Sequence, residues 1–401
     1  ISHILAISGL HISLVGMLLY RFLRKKKRSY PFSALVSGSC MVVYGLLTGF
    51  GVSAKRAVFM FLVYLGAELL GETYDVVSAL ALSGLLILAE QPLQLFQCGF
   101  QLSFLSVGAV ALVYPALQKR LEWRKKAALS LLSGLSVTLF TLPCTLYWFY
   151  EWMPYAVFLN LIVIPLVPVV FLSGAAGMLT GGASVAAGMF LAGASAGVLR
   201  FFQTLLERTE VLAGSRAVIG QPGFWQIALY YVLVGMTVWG GKRKEKREKS
   251  RENKLLRTAG IILALCILCF PFHRPAEVTF LDVGQGDAVF LRTEAGTTCL
   301  IDGGSTTVSD VGTYRLLPFL KSRGVSALDY LFLSHMDADH INGAEELLKD
   351  QFHGIPIRHL CLSALPGDET RERLEKEARL FGTELCYISR GTVFREEGAE
   401  I

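Results

Sequence analysis

Long apolar runs fill the first two thirds of the chain and predict membrane-spanning helices. A helix needs about 20 apolar residues to cross the ~30 Å hydrocarbon core, and lipid excludes open strands. About ten runs qualify, and they are centred near Leu14, Val42, Phe61, Leu82, Val107, Leu135, Val163, Met189, Val232 and Leu263. The run over residues 154–180 contains Pro165 and Pro168, so we expect a broken or kinked helix there.

The pattern changes after Pro275, where short strand-like stretches alternate with helical ones. The strand-like stretches are EVTFLDV, AVFLR, TTCLID, LDYLFLS, IRHLCLS and ELCYIS, and helices are predicted over 313–322, 344–351 and DETRERLEKEARLF. Such alternation predicts a parallel or mixed sheet with helices on its faces. We therefore predict a polytopic α-helical membrane domain over residues 1–273, followed by an α/β domain over residues 276–401.

Composition and charge support this division. With 53% hydrophobic and 17% charged residues, the chain is not an ordinary soluble enzyme, which would carry about 25% charged residues. Residues 1–273 have a net charge of +14, whereas residues 274–401 have a net charge of −8. Basic loops at 21–28, 119–126 and 242–257 follow the first, fifth and ninth runs. Because basic loops stay cytoplasmic, ten spans that begin outside place the α/β domain outside, and a miscount of one span would reverse this.

Four potential metal ligands follow the buried strand LDYLFLS directly: His335, Asp337, Asp339 and His340. Loop side chains after parallel strands converge at the carboxyl edge of a sheet. Imidazole together with carboxylate suits zinc, manganese or iron. The alternative is an acidic turn that caps a helix beginning near residue 344, but a turn needs one cap. The sequence therefore predicts a metal site.

Several motifs carry a resemblance to known families. The pattern His335-x-Asp337-x-Asp339-His340 resembles the metal loop of the metallo-β-lactamase fold, with Asp337 where most members have a second His. LDVGQGD at 281–287 and LIDGG at 300–304 resemble the opening hairpin and the aspartate-bearing strand end of that fold. The membrane half resembles the ComEC family of competence-type DNA-uptake channels through HILAISGLHI at 3–12, GFGVS at 49–53 with the following Arg56-Ala57, GFQLSF at 99–104, and Asn160 with the two prolines.

The resemblance covers nearly the whole chain and implies a fragment. Family members usually carry an OB-like domain ahead of the His3 signature, and the lactamase fold needs roughly twice the residues available after Pro275. We expect its later metal ligands beyond Ile401, so the α/β domain is a partial metallo-β-lactamase-like domain with little or no activity of its own.

The resemblance also implies chemistry for the metal loop. By the logic of the fold, His335 serves one cation and Asp339 with His340 the other, so a dinuclear divalent centre of zinc or manganese is expected in the complete domain. Asp337 is either a hard ligand or an acceptor behind the ligands, and as a ligand it favours the harder metal. Asp339 and Asp302 are the residues we expect to be catalytic in phosphodiester hydrolysis.

A DNA strand cannot enter hydrocarbon, so its passage requires a polar route through the helices. The candidate lining residues are His3, Ser8, His11, Lys55, Arg56, Gln101 and Asn160. The alternatives are an interfacial histidine pair for His3 and His11, interface anchoring for Lys55 and Arg56, and interhelical hydrogen bonding for Gln101. No GxxxxGK[ST] motif occurs in the sequence, so we expect a partner or a gradient to supply the drive.

The function that the resemblance implies is a channel in the cytoplasmic membrane that passes single-stranded DNA in natural transformation, with an extracytoplasmic metal-dependent nuclease domain. Its expected partners are single-stranded DNA, membrane lipid, and the DNA-receptor and cytoplasmic motor proteins of the competence machinery; self-association stays open. One alternative is a membrane-anchored metallo-hydrolase acting on a small phosphoester or an envelope substrate. Another is a scaffold with a degenerate site, which Asp337 and the acidic charge favour.

Overall fold

A computed structural model describes residues 9–121, 125–240, 247–271, 275–351, 354–365, 367, 369–396 and 399–400. The side chains of residues 9–14 lie outside the described part. The chain divides into two compact units. The first unit comprises Ile1–Cys144, Met153–Ser215 and Gly235–Glu245, and the second comprises Thr145–Trp152, Arg216–Val234 and Lys246–Ile401.

Helices dominate the described residues up to Cys269. They are α1 (Gly9–Lys25), α2 (Tyr30–Leu47), α3 (Val52–Leu70), α4 (Val76–Glu90), α5 (Cys98–Gly108), α6 (Tyr114–Leu121), α7 (Lys126–Phe149), α8 (Ala156–Gly181), α9 (Val185–Glu210), α10 (Phe224–Trp239) and α11 (Arg247–Cys269). Each of the ten predicted centres falls on one of these helices, so the prediction of helical runs is confirmed.

The predicted number of spans is only partly matched. Five helical segments of the described chain are long and apolar enough to cross a membrane, namely Tyr30–Leu47, Cys98–Lys119, Lys126–Phe149, Ala156–Gly181 and Val185–Glu210. Three shorter apolar helices, Val76–Glu90, Phe224–Trp239 and Leu256–Cys269, cover three further centres. The last two centres lie on α1, whose final turn is basic, and on α3, which carries Lys55, Arg56 and Glu68.

The expected break in α8 is absent. The helix runs without interruption through Pro165 and Pro168, although an internal proline costs about 3 kcal/mol. Val163 and Val167 beside these prolines are buried against Phe202 of α9, and this packing offsets part of the cost. The helices α8 and α9 also pack closely at Gly181 and Gly188. A β-carbon at Gly188 of α9 would lie 2.6 Å from the Cα of Gly181, so the two backbones are in contact there.

The α/β part contains one six-stranded mixed sheet, as predicted. Its strands are β3 (Glu277–Phe280), β4 (Val289–Arg292), β5 (Thr298–Ile301), β6 (Leu328–Phe332), β7 (Ile357–Ser363) and β8 (Glu384–Ile388), in the spatial order β3-β4-β5-β6-β7-β8. The first three strands are antiparallel, and β5 to β8 are parallel. Phe290, Leu300, Leu331 and Leu360 belong to a buried core that also contains apolar residues of the helices α12 (Leu317–Ser322), α13 (Ala338–Lys349) and α14 (Glu369–Leu380).

Two helix boundaries differ from the sequence prediction. The helix expected from residue 344 begins at Ala338, so Asp339 and His340 lie in its first turn and not in a free loop. The helix expected over 313–322 starts with a π-helical turn, Gly312–Leu316, before α12. The start of α13 was not predicted because its first residues are polar. Its buried positions, which include Ile341, Ala344 and Leu348, come later in the helix.

A short ribbon belongs to the same unit as the sheet. Its strands, β1 (Glu151–Trp152) and β2 (Ala217–Val218), come from the connections between α7 and α8 and between α9 and α10, and they pair antiparallel. The backbone N–H of Gln221 donates to the carbonyl of Ser322 at 2.9 Å. The Nζ of Lys321 lies 2.9 Å from Oε2 of Glu151. The ribbon is therefore held to the end of α12 by a hydrogen bond and a half-buried ion pair.

Candidate functional site

The predicted metal loop lies at the carboxyl end of β6, near the centre of the sheet. Leu328, Tyr330 and Leu331 of β6 are buried, so the strand is anchored on both faces and the residues after it emerge at the sheet edge. Asp337 precedes α13 at its N-cap position but makes no capping hydrogen bond with its side chain. The simple capping alternative therefore has no support from the contacts of Asp337.

Asp302 occupies the adjacent strand end and organises the loop from behind. It follows β5, has a φ of 55° and is 5% exposed. Its Oδ1 accepts the backbone N–H of Ser334 at 2.8 Å, and its Oδ2 accepts the Ser334 hydroxyl at 2.8 Å. Oδ2 also lies 3.0 Å from Nδ1 of His340. A carboxylate so enclosed can orient its neighbours, and the catalytic role expected of Asp302 from the sequence stays a prediction.

The hydrogen bonds assign the tautomers of both histidines. Because a carboxylate only accepts, Nδ1 of His340 carries the proton that is donated to Asp302. The Ser334 hydroxyl uses its proton on Asp302, so Nδ1 of His335, at 2.9 Å from Ser334 Oγ, must donate to that oxygen. In the neutral form of each imidazole, Nε2 then keeps its lone pair for a ligand, which is the arrangement in which histidines bind metals.

The predicted metal ligands lie close together at the carboxyl edge of the sheet. The rings of His335 and His340 are 3.9 Å apart between centroids. Nε2 of His335 lies 3.3 Å from Oδ2 of Asp337, and Nε2 of His340 lies 3.9 Å from Oδ2 of Asp339. A further carboxylate, Asp287, has its Oδ2 3.8 Å from Nε2 of His340. Asp287 is not among the site residues predicted from the sequence, although it closes the glycine-rich stretch LDVGQGD.

Glycines allow the turn that carries Asp287 to approach α13. The backbone N–H of Asp287 donates to the carbonyl of Asp339 at 3.2 Å. Gly286 has a φ of 158°, and a β-carbon there would lie 2.6 Å from the same carbonyl oxygen. A β-carbon on Gly304 would also lie 2.6 Å from that oxygen. Both positions require glycine because the backbones are in contact.

The charges around His340 raise its pKa above the ordinary histidine value. Burial by itself lowers this pKa, but the hydrogen bond and the charge of Asp302, together with the charges of Asp339 and Asp287, outweigh that effect. An imidazole facing this much negative charge favours a bound cation, whether a proton or a metal ion.

The donor set suits a divalent cation, but the side chains are not gathered into a closed site. Within the described ranges, no three His, Cys, Asp or Glu side chains form a group that could hold a metal ion. The side chains of Asp337 and Asp287 are 77% and 71% exposed, so they are free to rotate toward the two histidines. Two imidazoles with carboxylates fit zinc or manganese by ligand chemistry.

The predicted polar route is described only in part. His3 and Ser8 lie outside the described residues, and His11 lies on α1 without a described side chain. Asn160 lies half-buried on α8. Gln101 donates from Nε2 to the carbonyl of Leu95 at 3.0 Å, and its Oε1 accepts the thiol of Cys144 at 3.4 Å. Such contacts are typical of interhelical hydrogen bonding, and a place for Gln101 in the polar route stays a prediction.

Lys55 and Arg56 are neighbours on α3 with different surroundings. Lys55 pairs with Glu90 at the end of α4, with Nζ 2.6 Å from Oε1. Arg56 is 8% exposed, and its Nε donates to the hydroxyl of Ser103 on α5 at 2.9 Å. Among the described residues no carboxylate lies within ion-pair distance of the Arg56 guanidinium. Arg56 is thus a buried cation held by a neutral partner.

Comparison with known proteins matches both parts of the chain. Residues 1–244 match the competence protein family. The chain belongs to that family. Residues 281–393 match the metallo-β-lactamase superfamily, as the metal-loop motif indicated. Membership of this family and five helices of spanning length in the described part of the chain make the chain a multi-pass membrane protein.

Three curated relatives are each 27% identical to this competence protein. ComE operon protein 3 of Bacillus subtilis aligns with 98% of the chain and 51% of its own length. Recombination protein 2 of Haemophilus influenzae aligns with 87% of the chain and 48% of its own length. Competence protein ComA of Neisseria gonorrhoeae aligns with 88% and 49%. The chain thus spans about half the length of the curated relatives it matches.

Proposed function

We propose that the protein takes part in DNA uptake during competence, with the helical domain passing a single DNA strand and the α/β domain hydrolysing phosphodiesters. The observation that carries the first part is the surroundings of Arg56. A charged side chain inside a membrane domain is costly and usually marks the path of a substrate or ion. A buried guanidinium with no carboxylate among its described neighbours suits a polyanion, whose phosphates supply negative charge.

The β1–β2 ribbon supports the orientation in which the α/β domain is extracytoplasmic. In the ten-span topology, the connections that contain β1 and β2 and the segment after the last span all lie outside. Pairing of β1 with β2 requires the two connections to share one side. The contacts of Glu151 with Lys321 and of Gln221 with Ser322 require the α/β domain to lie on that side as well. A single miscounted span among these segments would separate them.

The second part of the proposal rests on the oriented histidines. His335, Asp337, Asp339 and His340 would hold the divalent ions, and Asp287 is close enough to join them. Such ions supply a hydroxide at neutral pH and stabilise the charge that develops on a phosphodiester. Asp302 accepts a hydrogen bond from Nδ1 of His340 and so orients that ring. It also fixes the Ser334 hydroxyl, which in turn orients His335. The net charge of −8 over residues 274–401 opposes DNA binding by this domain alone, so we expect basic surface from elsewhere in the full-length protein.

Labelled-DNA uptake by transformable cells tests the channel role. We expect Arg56→Gln in the full-length protein to lower uptake at least tenfold, with the protein still present in the membrane at its normal level. Arg200→Gln is the matched control, because Arg200 is an exposed arginine on α9. Normal uptake by the Arg56 variant at normal protein level contradicts the proposal. His11→Ala tests the described part of α1 in the same assay.

Cleavage assays test the nuclease role separately. The complete extracytoplasmic domain is incubated with single-stranded and double-stranded DNA, with and without added manganese or zinc. We expect cleavage that depends on the metal and is lost in Asp339→Asn. Absence of any bound or activating divalent ion in the complete domain refutes this half of the proposal and leaves the channel half untouched.

A further inference from the structure

A cavity with a basic rim lies in the second unit, where the ends of two apolar helices meet the α/β sheet. It has a volume of about 350 Å³, and we refer to it as the basic cavity. Residues at the start of α10 and at the end of α11 both line the cavity. Its lining includes Trp225, Gln226, Phe270, Glu277, Arg292 and Arg323.

Among the described residues that line the basic cavity, guanidinium groups outnumber carboxylates. Nη1 of Arg292 lies 3.3 Å from Oε1 of Glu277, and Nη2 of Arg323 lies 3.6 Å from Oε2 of the same carboxylate. Two guanidinium groups thus share one carboxylate. The Arg292 side chain is 5% exposed and that of Arg323 is 43% exposed. This excess of positive charge occurs in a region, residues 274–401, whose net charge is −8, so the cavity differs in sign from the rest of its domain.

Aromatic side chains mark the position of the cavity at the helix ends. Phe224 and Trp225 at the start of α10 are 76% and 54% exposed, and Phe270 just after α11 is 59% exposed. Nε2 of Gln226 donates to the carbonyls of Ile267 and Phe270 at 2.7 and 3.1 Å, which ties the two helix ends together. Exposed aromatic residues at the ends of apolar helices are typical of the membrane–water interface.

We infer that the basic cavity binds the phosphate headgroup of an anionic phospholipid. Phosphate matches the forked donors of arginine and neutralises the excess positive charge. The aromatic residues and the apolar surfaces of α10 and α11 suit the glycerol and the acyl chains. A nucleic acid strand shares the phosphate but has no use for this apolar surface, so the lining favours lipid. This inference is independent of DNA passage and requires only that the helices lie in a membrane.

Lipid retention by the purified chain tests the inference. The full chain is reconstituted in nanodiscs of phosphatidylcholine containing phosphatidylglycerol, extracted into mild detergent, and examined by native mass spectrometry. We expect phosphatidylglycerol to be retained in preference to phosphatidylcholine. Arg323→Gln should weaken its retention about fivefold, since each basic residue near the surface contributes about that factor. Arg323→Lys, which keeps the charge, should retain most of it.

A matched control and two competitors complete the test. Arg315 resembles Arg323 in exposure, at 45% against 43%, and it pairs with Asp282 away from the cavity, so Arg315→Gln should leave retention unchanged. Equal retention of both lipids, or no effect of Arg323→Gln, overturns the inference. Displacement of the lipid by inorganic phosphate alone identifies a site for free anions and overturns it too. Displacement by single-stranded oligonucleotide at equal concentration identifies a DNA groove instead.

Discussion

Replacement of Arg56 by methionine separates a substrate-binding role from a structural one. Methionine fills a similar volume and removes the guanidinium that now donates to Ser103 across α3 and α5. Loss of a residue that only joins two helices should lower the free energy of unfolding. Loss of a residue kept for an anionic substrate should lower DNA uptake and leave the fold as stable as before, because a buried charge destabilises the protein when no substrate is bound.

The expected magnitude follows from two opposing contributions. An arginine at the centre of a membrane helix costs about 2.5 to 3.5 kcal/mol on insertion scales, which is an upper limit for Arg56 because it lies near the start of α3. A hydrogen bond from a charged donor, such as the one from Arg56 to Ser103, recovers about 1.5 to 3 kcal/mol. The methionine variant should therefore be equally stable or more stable by up to about 2 kcal/mol. DNA uptake should fall at least tenfold.

Two measurements on the same variants check this expectation. Thermal unfolding of the purified proteins in nanodiscs gives the sign of the stability change, and uptake of labelled DNA by cells gives the activity. Arg200→Met should leave uptake unchanged. A marked loss of stability in Arg56→Met, with uptake falling only as the protein disappears from the membrane, would refute the reasoning, and so would full uptake by a stable variant.

Three further predictions concern the α/β domain and its ribbon. Asp302→Asn should weaken metal binding by the complete domain about 10- to 100-fold, because an amide nitrogen can replace the oxygen that accepts the histidine proton; titration calorimetry measures this, and unchanged affinity refutes the positioning role. Gly304→Ala should displace the first turn of α13, costing about 1 to 3 kcal/mol in thermal stability; an unaltered melting temperature contradicts the close backbone contact. Glu151→Gln should loosen the ribbon by about 1 to 2 kcal/mol, since it removes the half-buried carboxylate that pairs with Lys321 and Arg216; proteolysis of the ribbon is the measurement, and an unchanged cleavage rate contradicts the pairing.

Short-range sequence patterns were sufficient to predict much of the secondary structure of this protein. Each of the ten apolar runs falls on a helix because lipid demands an apolar surface on a helix of fixed length. Strand-to-helix alternation predicted the mixed sheet, and the spacing of His335, Asp337, Asp339 and His340 predicted ligands at one strand end. These features depend on residues within one element, where period and composition carry the information.

Long-range contacts decided what those residues do. Lys55 and Arg56 are adjacent in sequence, yet the former faces Glu90, 35 residues away, and the latter faces Ser103, 47 residues away. Asp302 lies behind His340 because parallel strands bring their carboxyl ends together. The basic cavity unites residues from five separate segments. Nothing in the local pattern encodes which charge will meet which partner, since burial and pairing are properties of packed elements and appear only when the chain is folded.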